Sequence, residues 1–363
     1  MKVITTKSVN LRYGEPHRRA PVKGILHEDF QLEVEPVDGE NINGNNKWYI
    51  DKNGDFIWSG GTKTIPEIVT PENIAVNAVH WGIYKMTVDK LWTENIVGNN
   101  IHIAVLDSGI NLHHPDLKHA VIKVVDKSSS GNTEDKTGHG SHVAGTIAAR
   151  RRQSDFQGVA PSSKLNVVKI RHDNAGLKID ATADGIDWVL KETESKIINL
   201  SLKFFTSSSK LEQQIAKARA KNVILVAAAD GISEGTISFP ARLPQCISVG
   251  AANWDDEKMI LDADSETIIE HTDIIAPGIN IWSTSNTGNS YRIESGTSMA
   301  TAFVSGIIAL MIQHLEDRNI PYNPDKIMEI IKSTASDIQN KDGKIFSEKL
   351  INPQAIINRI DHL

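Results

Sequence analysis

Five short apolar runs constrain this chain more than anything else in it: "IHIAVLD" (101–107), "KLNVVKI" (164–170), "KIINLSL" (196–202), "NVILVAAA" (222–229) and "CISVGAA" (246–252). None alternates apolar with polar residues. A strand without alternation is one buried on both faces. Between the runs lie segments with helical spacing, "GSHVAGTIAARR", "ATADGIDWVLKETES" and "SSKLEQQIAKARAK". Strands that alternate with helices predict a parallel sheet covered by helices on both sides. In such a sheet ligands gather beyond the carboxyl ends of the strands. That is where "VILVAAADGISEG" stops, on Asp230 and Gly231.

The first 61 residues read differently. They hold short strand-like runs, "VNLRY", "KGILHEDFQLEVEPV" and "KWYIDKNGDFIWSGG", broken by Gly, Asn and Pro. "DKNG" between "WYI" and "DFIW" is a hairpin turn. A small β-barrel over 1–61 is expected. It resembles a bacterial SH3-like domain through "VNLRYGEP" and "WYIDKNGDFIW"; the other reading is an unrelated β-rich arm. Residues 62–75, with two prolines, read as a linker, and 76–363 as the main α/β domain.

The chain has 363 residues and a formal net charge of -6, so it has no basic field to draw nucleic acid. A single cysteine, Cys246, excludes an internal disulfide framework and reads as a small buried hydrophobe. No apolar run is expected to reach the ~18 residues that span a bilayer. The N-terminus has no signal-like apolar stretch, which gives an expectation of a cytoplasmic location; a leader ahead of Met1 would overturn it.

Three segments put a reactive side chain beside glycine at a strand end or helix start. Asp107 in "VLDSG" ends a buried strand, where an unpaired carboxylate is costly; alone it would read as a turn or cap residue. His139 in "GHGSHVAG" stands between Gly138 and Gly140 ahead of a helix, a setting for a general base. It would otherwise be structural, or pair with His142 on a metal, although no cluster with metal spacing accompanies it. Ser298 in "GTSMA" opens a helix, whose free N–H groups favour a neighbouring oxyanion; a plain N-cap is the other reading. Together the three side chains are what nucleophilic acyl transfer requires.

With these motifs in this order, the chain from about residue 75 to the end, "HWGIYKMTVDKLW" to "KLINPQAII", resembles the subtilisin-like serine proteases. The resemblance implies a subtilisin-like parallel sheet sandwiched by helices and an Asp107–His139–Ser298 triad that hydrolyses peptide bonds. It implies protein or peptide substrates held by strand addition against Ala175–Gly176–Leu177 and Ser201–Leu202–Lys203, with Ser238 on the floor of the specificity pocket. No cofactor, nucleic acid or membrane is implied. An N-terminal SH3-like domain would add a peptide or cell-wall ligand.

The chain departs from the family in places. The family has Gly-Asn where this chain has Asp230-Gly231, so an oxyanion donor is missing and Ser298 N–H and the Thr297 hydroxyl remain. A protonated Asp230, or a water or N–H admitted by Gly231, would substitute; an ionised Asp230 would repel the oxyanion. The rival reading is a pseudoprotease that binds peptides without turnover. Lys203 and Phe204 replace two glycines at the pocket rim, which would favour a small or acidic residue before the scissile bond unless both face solvent. Arg150, Arg151 and Arg152 stand where a calcium loop supplies oxygen ligands, and Asp116 would lack partners, so no calcium is expected there. The arginines read as a solvated face or as a dock for an acidic surface. Ala302 replaces the usual Pro. The N-terminal region does not resemble a folding propeptide.

Overall fold

The computed structural model describes residues 2–5, 9–12, 15–17, 20, 22–26, 31–42, 45–51, 55–65, 81–150, 156–229, 231–232, 236–255, 258–260, 272–339 and 345–363. The chain divides into two compact units, Met1–Ile74 and Ala75–Leu363.

The first unit is an antiparallel sheet of seven strands. Its order runs Val22–Leu26, Val9–Arg12, Phe56–Trp58, Asn45–Asp51, Gln31–Ile42, Lys2–Thr5, Thr62–Ile65. The hairpin read from "WYIDKNGDFIW" pairs Trp48 with Trp58 and Ile50 with Phe56. Among the described residues of this unit, Val34, Trp48 and Ile57 are buried apolar side chains. One boundary needs correction. Thr62–Ile65, assigned to the linker, pairs along Lys2–Thr5. The β-branched Thr62, Thr64 and Ile65 suit a strand, and the prolines that suggested a linker lie beyond them.

The second unit carries the expected sheet. Strand His102–Asp107 is flanked in parallel by Ile197–Leu200 and by Lys164–Lys169. From the first flank the sheet continues in parallel through Ile224–Ala228, Cys246–Asp255, Ile274–Pro277 and Ile345–Leu350. From the second it ends at Val121–Asp126. Strand order therefore reverses at His102–Asp107, which makes the carboxyl end of that strand a topological switch point.

Successive residues of the central strand enter opposite cores. Ile103 and Val105 join the core made with helices His139–Ala148 and Thr297–Asp317. Ala104 and Leu106 join the core made with Ile179–Glu192 and Ser209–Ala220. This is the two-faced burial that the absence of alternation predicts. Ser208 caps the last of these helices at Leu211 N, and Asn323 with Pro324 opens Pro324–Thr334, both common start signals.

Thr297–Asp317 corrects another expectation. By length and composition this helix could cross a membrane, although 94% of its apolar window is buried inside the fold. It is largely apolar because it runs through the core, packed against His139–Ala148 and several strands. Each large side chain it hides, such as Phe303, contributes about 2–3 kcal/mol.

Candidate active site

Asp107 ends the central strand with 5% of its surface exposed. Its Oδ1 accepts the Ser108 N–H at 2.7 Å and lies 2.8 Å from His139 Nδ1. His139 is the first residue of its helix. Gly138 before it sits at φ 88°, a conformation open chiefly to glycine, and this turn aims the imidazole back at the strand end. The ring keeps about a third of its surface, 32%, exposed. Burial opposes a charge on the ring. The Asp107 carboxylate, through attraction and its hydrogen bond, outweighs that together with Glu294 and Asp135, and the pKa rises from 6.5 to about 9.

Asp135 anchors this helix start. It accepts N–H bonds from Gly138 at Oδ1 and from Ser141 at Oδ2, each 2.8 Å, and the Ser108 hydroxyl at 2.8 Å. Ser108 Oγ in turn accepts Gly140 N–H. Burial works against the Asp135 charge, but these donors prevail and hold its carboxyl below the usual 3.8. Sequence reasoning missed Asp135 and Ser108. The signal available was an acid three residues ahead of a Gly-His-Gly turn, a local cap for the N–H groups that open a helix.

Ser298 is the second residue of Thr297–Asp317, entered through Gly296 at φ 153°. Its Oγ donates to Ser201 O at 3.3 Å, and Ser201 Oγ donates to Ser298 O at 2.8 Å. Ser201 follows strand Ile197–Leu200, the parallel neighbour of the Asp107 strand. The serine is thus tied one strand away from the Asp107–His139 couple, at the same end of the sheet. A buried chain supports it: Ser305 Oγ donates to Asn199 Oδ1 at 3.0 Å, and Asn199 Nδ2 to Ser201 Oγ at 2.9 Å. Neither Asn199 nor Ser305 was legible beforehand.

The remaining candidates lie as follows. Gly176 and Leu177 form a short strand against Arg171–His172, and Ala175 N–H donates to His172 Nδ1. Gly176, at φ 74°, has open space where a side chain would project. Ser201 and Leu202 are buried, while Lys203 is exposed. Phe204 bonds backbone to backbone with Phe239 and packs on the core, so of the two rim residues only Lys203 faces outward. Ser238 is buried, with Oγ donating to Ala228 O. Thr297 is buried. Gly231 pairs with Ile237. Asp230, Arg151 and Arg152 lie outside the described residues.

Three further side chains prove to be fixed in the fold. His142 is buried with Nε2 at Ile281 O, 2.8 Å. Asp116 is buried and accepts the Tyr291 hydroxyl at 2.6 Å. Arg150, expected on a solvated face or against an acidic surface, instead donates to Pro161 O and Ser162 Oγ, and its N–H to Asp116 O. Among the described residues no three His, Cys, Asp or Glu side chains gather as a metal would require. Cys246 is buried, which pushes its thiol up to about 12.

An imidazole bonded to a buried carboxylate thus sits at the switch point of a parallel sheet, and the neighbouring strand is tied to a helix whose second residue is serine. The chain belongs to the subtilase family, whose model (Peptidase_S8) matches residues 98–350. It is 33% identical over 279 residues to the M-protease of Shouchella clausii (strain KSM-K16), covering 77% of this chain and 70% of that protein. It is equally similar to Subtilisin Savinase of Lederbergia lenta, 33% over 279 residues, 77% of this chain and 98% of that one. With the thermostable alkaline protease of Halalkalibacterium halodurans it shares 36% over 258 residues, 71% and 68% of the two chains. The protein is a serine endopeptidase.

Proposed function

We propose that peptide bonds are cut by Asp107, His139 and Ser298 acting as one unit. The supporting observation is the 2.8 Å Asp107–His139 bond at the end of the strand neighbouring the Ser201–Ser298 tie. Asp107 fixes the ring so that Nε2 faces outward as the base. The Ser298 hydroxyl leaves Ser201 O, gives its proton to His139 and attacks the carbonyl carbon. His139 then returns the proton to the departing amine, and water releases the acyl group by the same steps in reverse roles.

The oxyanion falls to Ser298 N–H and the Thr297 hydroxyl. Asp230, if protonated, adds a third donor; otherwise Gly231 admits a water or an N–H in place of the family's Asn. An extended peptide lies between Ala175–Gly176–Leu177 and Ser201–Leu202–Lys203, adding a strand. Ser238 floors the pocket before the scissile bond, and exposed Lys203 at its rim selects a small or acidic residue there. Peptide-library profiling tests that selection, and a preference for large aromatic residues would refute it. The first unit, as an SH3-like barrel, would hold a peptide or cell-wall ligand.

A fluorophosphonate probe tests the central reading. It should label the native chain and leave Ser298→Ala unlabelled. Labelling that persists in Ser298→Ala would end the assignment of the nucleophile.

A further inference from the structure

Strand Tyr291–Glu294 forms a hairpin with Ile281–Thr284, and the hairpin lies along the His139 helix. Ser283 Oγ donates to His142 O, and Thr284 Oγ1 to Ser141 O. On a strand, residues two apart share a face. Arg292 and Glu294 therefore project together, while Tyr291 turns the other way to Asp116. Arg292 Nη1 donates to Thr137 O at 2.8 Å, and its guanidinium lies where any side chain on Gly138 would have to go. Arg292 Nη2 pairs with Glu294 Oε1. Only 13% of the Glu294 side chain is exposed. A largely buried carboxylate is thus anchored, through Arg292, against the turn that carries His139, and the triad chemistry does not use it.

We propose that Glu294, the carboxylate that Arg292 holds beside the Thr137–Gly138 turn, acts across that turn on His139 as a positioning residue and sets the pH at which the ring becomes a free base. The proposal rests on His139 serving as the base of the serine peptidase. The charged groups around the ring come from three elements. Asp107 bonds it from the central strand, Asp135 holds the turn just ahead of it, and Arg292, paired with Glu294, holds that same turn from the hairpin. Asp230 lies outside the described residues. Each carboxylate favours imidazolium over imidazole. The influence is mutual: burial raises the Glu294 pKa above its ordinary 4.5, and His139 and Arg292 pull it back while Asp107 and Asp135 push with burial. Asp107 must stay for orientation, so Glu294 is the charge that can vary without disturbing the ring's geometry.

The test measures fluorophosphonate inactivation rate against pH for the parent, Glu294→Gln and Glu294→Asp. The acid limb should move down by about one unit in Glu294→Gln, which is roughly tenfold faster inactivation at a fixed pH on that limb. Glu294→Asp keeps a withdrawn charge and should move it part of the way, so either variant decides if the other does not fold. In parallel, NMR titration of the His139 ring in Ser298→Ala, with and without Glu294→Gln, should show the same displacement. That readout needs no catalysis, so absence of labelling would sink the serine reading while the NMR midpoint still judged Glu294. Midpoints that coincide, or that move upward, overturn the proposal. A purely structural Glu294 would lower the melting temperature and leave the midpoint in place.

Discussion

Ser201 and Ser298 hydrogen bond to each other in both directions: each hydroxyl donates to the other's carbonyl, at 2.8 Å from Ser201 and 3.3 Å from Ser298. The residue proposed to edge the substrate cleft and the residue proposed to attack are therefore mechanically one piece. Asn199 and Ser305 extend this piece into the core.

Ser201→Ala removes the donor to Ser298 O and the acceptor for Asn199 Nδ2 in a buried setting. Leaving such groups unsatisfied costs about 1–3 kcal/mol. Urea unfolding should show that loss. Turnover should fall as well, because the start of the Ser298 helix loses its tie to the strand. Turnover and stability both equal to the parent's would show that the paired bonds carry no weight.

The His139 pKa of about 9 makes a signed prediction. Its folded value lies above the ordinary 6.5, so folding is favoured by protonation. That stabilisation is fully present below about 6.5 and is lost as pH rises through about 9. Catalysis runs the opposite way, since the base must be neutral, and should climb as pH rises toward about 9. Thermal melts and kcat/KM across this window check both slopes. Asp107→Asn should flatten the melting slope and lower kcat by about 10⁴.

How far these features were legible depended on how far apart in sequence their partners lie. Asp107, His139 and Ser298 each carry a glycine signature within a few residues, so local pattern singled them out. The tie between Asn199 and Ser305 spans 106 positions, and the apolar run around Asn199 read only as strand. Asp116 looked partnerless because Tyr291, its donor, is 175 positions away. Arg150 looked like a surface charge for a different reason: its side-chain partners, 11 and 12 positions on, are a carbonyl and a hydroxyl that sequence does not mark. The two-faced sheet was legible because burial leaves a direct trace in composition. The strand Thr62–Ile65 was hidden by the prolines that follow it, which suggested extended linker.

Gly231 is the residue proposed above to stand in for the family's oxyanion-donating Asn, and Gly231→Asn would supply an amide there. If stabilisation of the oxyanion limits the rate, kcat should rise, by up to about 10²–10³, the known worth of one such donor in subtilisin itself. Asp230→Asn should raise it too, by removing a negative charge. Single-turnover kinetics on a chromogenic peptide separate this from a change in binding. Unchanged kcat in both variants would mean that the donors already present suffice.

Tyr291→Phe tests how the buried Asp116 is held. The hydroxyl is a donor to a buried carboxylate, and losing it should destabilise the fold by about 1–3 kcal/mol. The stacked contact with Trp282, 5.8 Å between ring centres, survives the substitution. If protein groups alone satisfy Asp116, a chelator should leave the melting temperature of the parent unchanged, and added calcium should not rescue Tyr291→Phe. A calcium-dependent melting temperature in either protein would place a cation in the balance.

Gly138→Ala probes the turn from which the His139 ring springs. Two penalties combine there. The backbone at φ 88° is strained for any residue with a Cβ, and the new methyl would strike the Arg292 guanidinium. The backbone term alone costs about 1–2 kcal/mol. Relief of the clash would push Arg292 off Thr137 O and carry Glu294 with it, loosening the charges that surround His139. The variant should therefore lose both stability and kcat. Its acid limb should also shift downward, in the direction expected for Glu294→Gln. A stable, fully active Gly138→Ala with an unshifted pH profile would show that the turn tolerates a side chain and that the hairpin does not govern the ring.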